Sequence, residues 1–356
     1  MSNSRSQPRN SSPPGTLASA SRNKTLHNPN IKQNERESNP LVSREPDFFS
    51  PEGACHKIYW SDCIAQMAMD ILERQKAVTA CEFDFLKPKL VEYTFTVCVR
   101  LRLPNEVRFT AALILNMYLT RQLCGLHEFI GQQAFDVQKK NREWDRMETN
   151  MERQIPLRIL TAIQISTKIH SYHDSLSSRQ VVNTLRVVGV PYNMSAVMES
   201  EQRVFKLIGH SIPDSPLEAC EMALKVLTYT LNKRGMEEAS RHDDLWQHCL
   251  IVLDVCFINH IELYDRFIRK CPFILKEGDE KRLTMSKIKC DILLLASATI
   301  QTAFNLCIGK QHLSEVALIV NKLLRCHPTY VEPLRQSIIE LAQSRKTVEF
   351  SQCDDV

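Results

Sequence analysis

The sequence predicts an all-α protein: a polar tail, then two successive sets of five helices. Three observations carry this. Apolar residues recur at helical spacing through most of residues 56–346. No stretch shows sustained period-two alternation or an Asn-Gly hairpin signal between β-branched runs. Glycine is scarce, at nine in 356 residues. With 43% hydrophobic residues the chain can bury one large or two ordinary domains, at roughly 100–200 residues per domain.

The elements follow in order. Residues 1–54 are rich in Ser, Asn, Pro and Arg ("MSNSRSQPRNSSPPGTLASASRN"), too poor in apolar surface to offset ordering entropy, and are expected to be disordered. Ser12-Pro13 and Ser50-Pro51 in and beside this tail resemble minimal sites for proline-directed kinases, although Ser-Pro is common in any disordered tail. An N-terminal helix comes next, with Ile58, Cys63, Met67, Ile71 and Leu72 at helical spacing. It opens a unit over 55–212. "LKPKLVEYTFTVCVRLR" tolerates Pro88 in its first turn, and a second helix starts at Pro104. A polar insertion over 125–154 separates these from "IPLRILTAIQISTKIHSY". Two more helices follow, one capped by Ser177 or Ser178 and ended by Gly189, the other ended by Gly209.

"SIPDSP" (211–216) breaks the pattern with two prolines, and a second helical unit spans 213–346. Its helices are expected near 216–233, 242–268, 287–308, 311–326 and 329–346, with a charged loop "KEGDEKR" between the second and third. Residues 347–356 are expected to be a disordered terminus. Helix count alone, with no residue-level repeat, points to a duplicated unit.

Composition narrows the function classes. Net charge is +4, and the first 50 residues, with seven basic and four acidic side chains, supply most of it. The folded part is nearly neutral, which argues against a nucleic-acid footprint across its surface. The 13 cysteines sit singly, without a C-x-x-C pair, and read as reduced, buried apolar residues of an intracellular protein. No apolar run approaches the roughly 18–20 residues of a membrane span. No phosphate loop, G-x-G-x-x-G, G-x-S-x-G, H-E-x-x-H or kinase motif is present, so neither an enzyme nor a cofactor is expected. His170 and His173 have no third or fourth partner to make a metal site.

One residue stands out. "LRILTAIQISTKIH" (157–170) is apolar, yet carries Lys168 near its end. A cation in the last turn is favoured by the helix dipole and can reach solvent along its stem, and Glu201 taken alone is an ordinary solvated helix charge.

In order and spacing, these pieces resemble a cyclin box over residues 85–212. "LKPKLVEYTFTVCVRLRLPNEVRFTAALILNMYL" resembles the first two box helices, "LRILTAIQISTKIH" is similar to the third, which ends in A-S-K-F, and "MESEQRVFKLIGHSI" to the fifth, M-E-x-x-V-L-K-x-L. The resemblance implies a cyclin-like fold of two tandem boxes and places Lys168 and Glu201 against the main chain of a cyclin-dependent kinase beside its regulatory helix. Ile169, Phe205 and Ile212 match the apolar surface around them, and His210 stands where cyclins often place an aromatic. The substrate-docking patch of cell-cycle cyclins maps to Leu86, Leu90 and Tyr93, but Lys89 replaces an isoleucine and Thr96 the acidic residue that grips a substrate arginine. Both departures weaken such docking.

The long polar insertion and "ESEQRVFKLIGHSIPDSPLE" are similar to the crossover-site-associated (COSA) group of cyclin N-terminal-domain-containing proteins. That resemblance implies a nuclear, non-catalytic regulator on meiotic chromosomes that pairs with a cyclin-dependent kinase and acts with the MutSγ heterodimer and a RING-type ligase. A kinase-independent scaffold and a DNA-gripping transcription-type cyclin fold are the competing classes.

Overall fold

A computed structural model describes residues 57–78, 84–170, 175–236, 244–271 and 278–353; Ser12, Ser50, His173 and the 1–54 tail lie outside them. The described residues form thirteen helices and no strand, as the periodicity predicts. They are α1 (Lys57–Ala77), α2 (Pro88–Arg100), α3 (Asn105–Gln132), α4 (Val137–His170), α5 (Ser178–Val187), α6 (Met194–Leu207), α7 (Pro216–Lys233), α8 (Leu245–Ile258), α9 (His260–Lys270), α10 (Gly278–Lys289), α11 (Ile292–Cys307), α12 (Leu313–Leu323) and α13 (Pro328–Cys353).

Each set is built round a helix that is buried on every side. In the first, every residue of α4 from Leu157 to Thr167 is buried, and α2, α3, α5 and α6 pack on it. In the second, every residue of α11 from Ile292 to Phe304 is buried beneath α7, α8, α12 and α13. A helix buried all round shows no clean amphipathic stripe, which is why both read in the sequence as apolar-rich stretches broken only by uncharged polar residues and Arg158. The two hubs, each with four surrounding helices, are consistent with a tandem cyclin-like fold.

Local chemistry sets several helix ends. Pro88 opens α2. Gly189 and Gly209, at φ +84° and +71°, terminate α5 and α6, where Val190 N–H returns to Leu185 O and His210 N–H to Phe205 O at 3.0 Å each. Ser177 caps α5 in a capping box: its hydroxyl accepts from Gln180 N–H at 3.3 Å, and the Gln180 side chain accepts from Ser177 N–H at 2.8 Å. Ser177→Ala is expected to cost about 1 kcal/mol in a urea titration; an unchanged midpoint would show that the cap is idle.

Four segments differ from expectation. The 125–154 insertion is not a loop: α3 runs on to Gln132 and α4 begins at Val137, so the insertion is a helical hairpin whose turn is capped by Asp136 on Lys139 N–H at 2.7 Å. Trp144 lies edge-on to His127, with ring centres 6.1 Å apart, and Lys140 reaches Gly131 O at 3.1 Å. Pro156 sits inside α4, where the carbonyl it cannot engage belongs to exposed Glu152 and can be hydrated. The expected 242–268 helix divides at Asn259 into α8 and α9. Part of the expected charged loop is the polar helix α10, which buries no residue, and α13 runs to Cys353, past the expected end at 346, because no glycine or proline stops it.

The described residues from 57 onward belong to one compact unit. The first set's core is formed by residues such as Ile114, Ile163, Leu185 and Val204. The second core also takes in Ile64, Met67 and Ile71 of α1 and Phe95 and Phe109 of α2 and α3, so the N-terminal helix packs on α7 and α11 instead of joining the first set. Phe95, Phe109 and Phe257 meet between the sets, with successive ring centres 5.4 and 5.1 Å apart.

Charged groups staple the same junction. Asp84 accepts from Lys289 Nζ at 2.6 Å, contacts His260 Nδ1 at 3.2 Å and caps Leu86 N–H at 3.0 Å. Burial pushes its carboxyl up, but the hydrogen bonds and charges of His260 and Lys289 outweigh this and hold it well below the ordinary carboxylate range. A depressed folded-state value stabilises above the unfolded pKa, and that stability is lost as acid protonates the group below about pH 4. Asp84→Asn should therefore cost about 2 kcal/mol at pH 7 and lessen the loss of stability on acidification. Equal acid sensitivity in both proteins would rule Asp84 out.

Candidate functional site

The face around Lys168 is assembled from the end of α4, one stripe of α6 and the linker to α7. Polar groups fix the end of α4 from behind: Ser166 Oγ donates to Val107 O at 3.0 Å, and Thr167 Oγ1 accepts from Leu176 N–H at 3.0 Å. His170, the last residue of α4, shares a hydrogen bond with Thr110 Oγ1 at 2.9 Å and lies 3.9 Å from Glu218 of α7. Burial lowers the His170 pKa, so near neutral pH the ring is an uncharged hydrogen-bonding group. Burial, reinforced by the Asp214, Glu221 and Glu106 carboxylates, pushes Glu218 up. The ring is thus a packing and hydrogen-bonding element, and among the described residues no group of three His, Cys, Asp or Glu could hold a metal.

Lys168 and Glu201, 33 positions apart, are brought together: Lys168 Nζ donates directly to Glu201 Oε1. Their side chains are 38% and 22% exposed, so the pair is accessible and only partly desolvated. Ile169 is 46% and Phe205 38% exposed beside it. Met194, Met198, Glu201 and Phe205 recur every three or four residues and share one stripe of α6. Met194 and Met198, both exposed, extend the apolar surface beyond the residues singled out from sequence. Their helical spacing was readable, but nothing in the sequence alone says which stripe faces outward.

Ile212 is half-buried against the first core, and its carbonyl accepts from Arg74 of α1 at 3.3 Å, while the same guanidinium pairs with Asp214 at 3.1 Å. His210 has a left-handed backbone (φ +59°) and sets its ring edge-on to Phe205 at 4.9 Å. The face is thus an ion pair ringed by exposed apolar side chains on a rigid support. It is suited to gripping a partner's backbone groups where water is excluded.

The docking-patch residues diverge. Leu86 is a core residue, Leu90 is half-buried, and of the three only Tyr93 is exposed. Lys89 and Thr96 are both at the surface, beside Tyr93. The described cysteines divide: Cys98, Cys220, Cys249, Cys256 and Cys271 are buried, as expected, whereas Cys63, Cys124, Cys290, Cys307 and Cys326 are only half-buried. Burial pushes the Cys98 thiol up to about 12 despite nearby Arg108. Among the described residues no single helix is long and apolar enough to cross a membrane.

These features define a class, a cyclin-like helical protein with an accessible Lys–Glu pair at the end of its first hub helix. No family model matches the chain. It is similar to cyclin N-terminal domain-containing protein 1 of Homo sapiens, at 24% identity over 213 residues covering 60% of this chain and 63% of that protein. The protein of the same name from Mus musculus is 24% identical over 220 residues, covering 60% of this chain and 62% of its own length. The match spans less than two thirds of these relatives, and it supports a cyclin-like family.

Proposed function

We propose that the chain is a non-catalytic, cyclin-like regulatory protein that binds a cyclin-dependent kinase through the Lys168–Glu201 face and promotes meiotic crossover maturation in the nucleus. The MutSγ heterodimer and a RING-type ligase are its proposed partners at crossover-designated sites. The observation that carries the kinase half is the pairing of two charges, distant in sequence, on an exposed apolar stripe. The meiotic half rests on the resemblance of the insertion and of residues 199–218 to the COSA group, and similarity to the two relatives supports the cyclin-like half.

The test is recovery of a cyclin-dependent kinase with the full chain from meiotic cells, against Ile169→Glu and Phe205→Glu. Both positions are exposed, so the variants should fold and recover less than about a tenth of the kinase. Equal recovery would turn the reading to a kinase-independent scaffold. That alternative is favoured by the helical hairpin of the insertion and by the burial of Leu86.

A further inference from the structure

Arg158 is a cation in the wrong place for an ordinary core. Its residue is 5% exposed. NH1 donates to Ser200 Oγ at 2.5 Å and NH2 to Gln154 Oε1 at 2.6 Å, and the guanidinium lies 5.4 Å from the centre of the Tyr118 ring. All three partners are neutral, and no carboxylate pairs with it among the described residues. Withdrawing a guanidinium from water without a counter-charge is among the costlier acts of folding. Burial lowers its pKa, which nearby Tyr118 raises and the like charge of Arg203 lowers further.

Arg203 lies one turn beyond Ser200 on α6. It is exposed and makes no ion pair among the described residues, and the same holds for Lys206. Gln202 and Arg203 lie three and four residues after Glu199 and four and three before Lys206, so the four share a stripe of α6 offset from Met198, Glu201 and Phe205. With Gln122 and Leu207 they line an open groove of about 480 Å³ between α6 and α3. Arg121 donates to the carbonyl of the groove residue Leu207 at 3.1 Å. Two free cations one turn apart, two carboxamides able to donate, and a fixed buried cation behind them make a local excess of positive charge in a nearly neutral fold.

We propose that this groove binds a phosphorylated serine or threonine side chain of a protein partner. A phosphate monoester carries nearly two negative charges and accepts several hydrogen bonds at once, which suits an Arg/Lys pair flanked by amides. A single carboxylate would leave the cations undercompensated. An extended nucleic acid needs a run of cations along its backbone, and this groove has two, with Glu199, held by Ser195 at 2.9 Å, at its other end along α6. Arg158 serves as a positioning and field residue, while Arg203 and Lys206 make the contacts. The site shares α6 with the Lys168–Glu201 face but does not depend on kinase binding.

The test titrates the full chain into a short fluorescein-labelled phosphoserine peptide and its unphosphorylated twin, with inorganic phosphate as competitor and a thymidine oligonucleotide as the nucleic-acid probe. At low ionic strength the phosphopeptide should bind at least about tenfold tighter than its twin, and the Arg203→Gln/Lys206→Gln double variant should lose that preference. Both positions are exposed, so helical content should hold. Arg158→Met should also weaken phosphopeptide binding, and if it fails to fold, the surface double variant still decides. No preference for the phosphorylated peptide, tighter binding of the oligonucleotide, or free phosphate binding as strongly as the peptide would each overturn the proposal.

Discussion

Replacing Arg108 by alanine is expected to loosen the two helical sets from each other and to cost about 3–5 kcal/mol of stability. The residue is only 9% exposed. Its Nε and NH2 fork the two oxygens of Asp254 at 2.9 and 3.1 Å, and NH1 donates to Asn105. The guanidinium also lies 4.7 Å from the centre of the Phe109 ring and 5.7 Å from that of Phe95. One residue of α3 thus joins the first set to α8 of the second, over the aromatic cluster between them. Removing it opens space against two rings and strands a carboxylate that burial already pushes up and that only Arg108 holds down. A folded-state pKa raised above the unfolded value gives stability at low pH and loses it as pH rises. The deficit of Arg108→Ala should therefore be larger at pH 8 than at pH 5. Arg108→Met with Asp254→Leu should recover much of it by replacing a buried pair with apolar contacts. Urea titrations at the two pH values decide; a deficit below about 1 kcal/mol would show that the bridge holds little.

How much of this was legible in the sequence depends on whether a feature is local. The proline that opens α2, the serine cap of α5 and the glycines ending α5 and α6 are local chemistry, and residue type announces them. The two hub helices were legible because burial on every side leaves an apolar-rich run of helical length. The insertion hairpin was harder to see, since its one apolar stripe, Trp144, Met147, Met151 and Ile155, is thin, only half-buried and diluted by charged residues. The same holds for α10, which buries nothing. Leu86 entered the docking patch only through family resemblance, and a resemblance does not show that its side chain here faces the second core. The cross-chain charges Arg74–Asp214, Arg108–Asp254 and Asp84–Lys289 span 140 to 205 positions and have no sequence signature. Lys168 and Glu201 were legible only through family resemblance; the fold then supplies their contact.

That contact makes a charge-exchange experiment sharper than either reversal alone. Lys168→Glu sets two carboxylates against each other, and Glu201→Lys two ammonium groups. With side chains 38% and 22% exposed, each single change should cost only about 0.5–1 kcal/mol of stability. At the proposed kinase interface, where water is excluded, each should weaken binding by more than about tenfold. The double variant Lys168→Glu/Glu201→Lys restores an internal ion pair of the same two groups, and stability should return close to wild type. Kinase binding should not return, because each charge now meets the partner's backbone donors and acceptors with the wrong sign. Unfolding midpoints and kinase affinity, measured on all four proteins, separate the two roles. If the exchange restores binding along with stability, the pair is an internal staple that merely shapes the surface. If the single reversals leave binding untouched, the two charges do not touch the kinase at all.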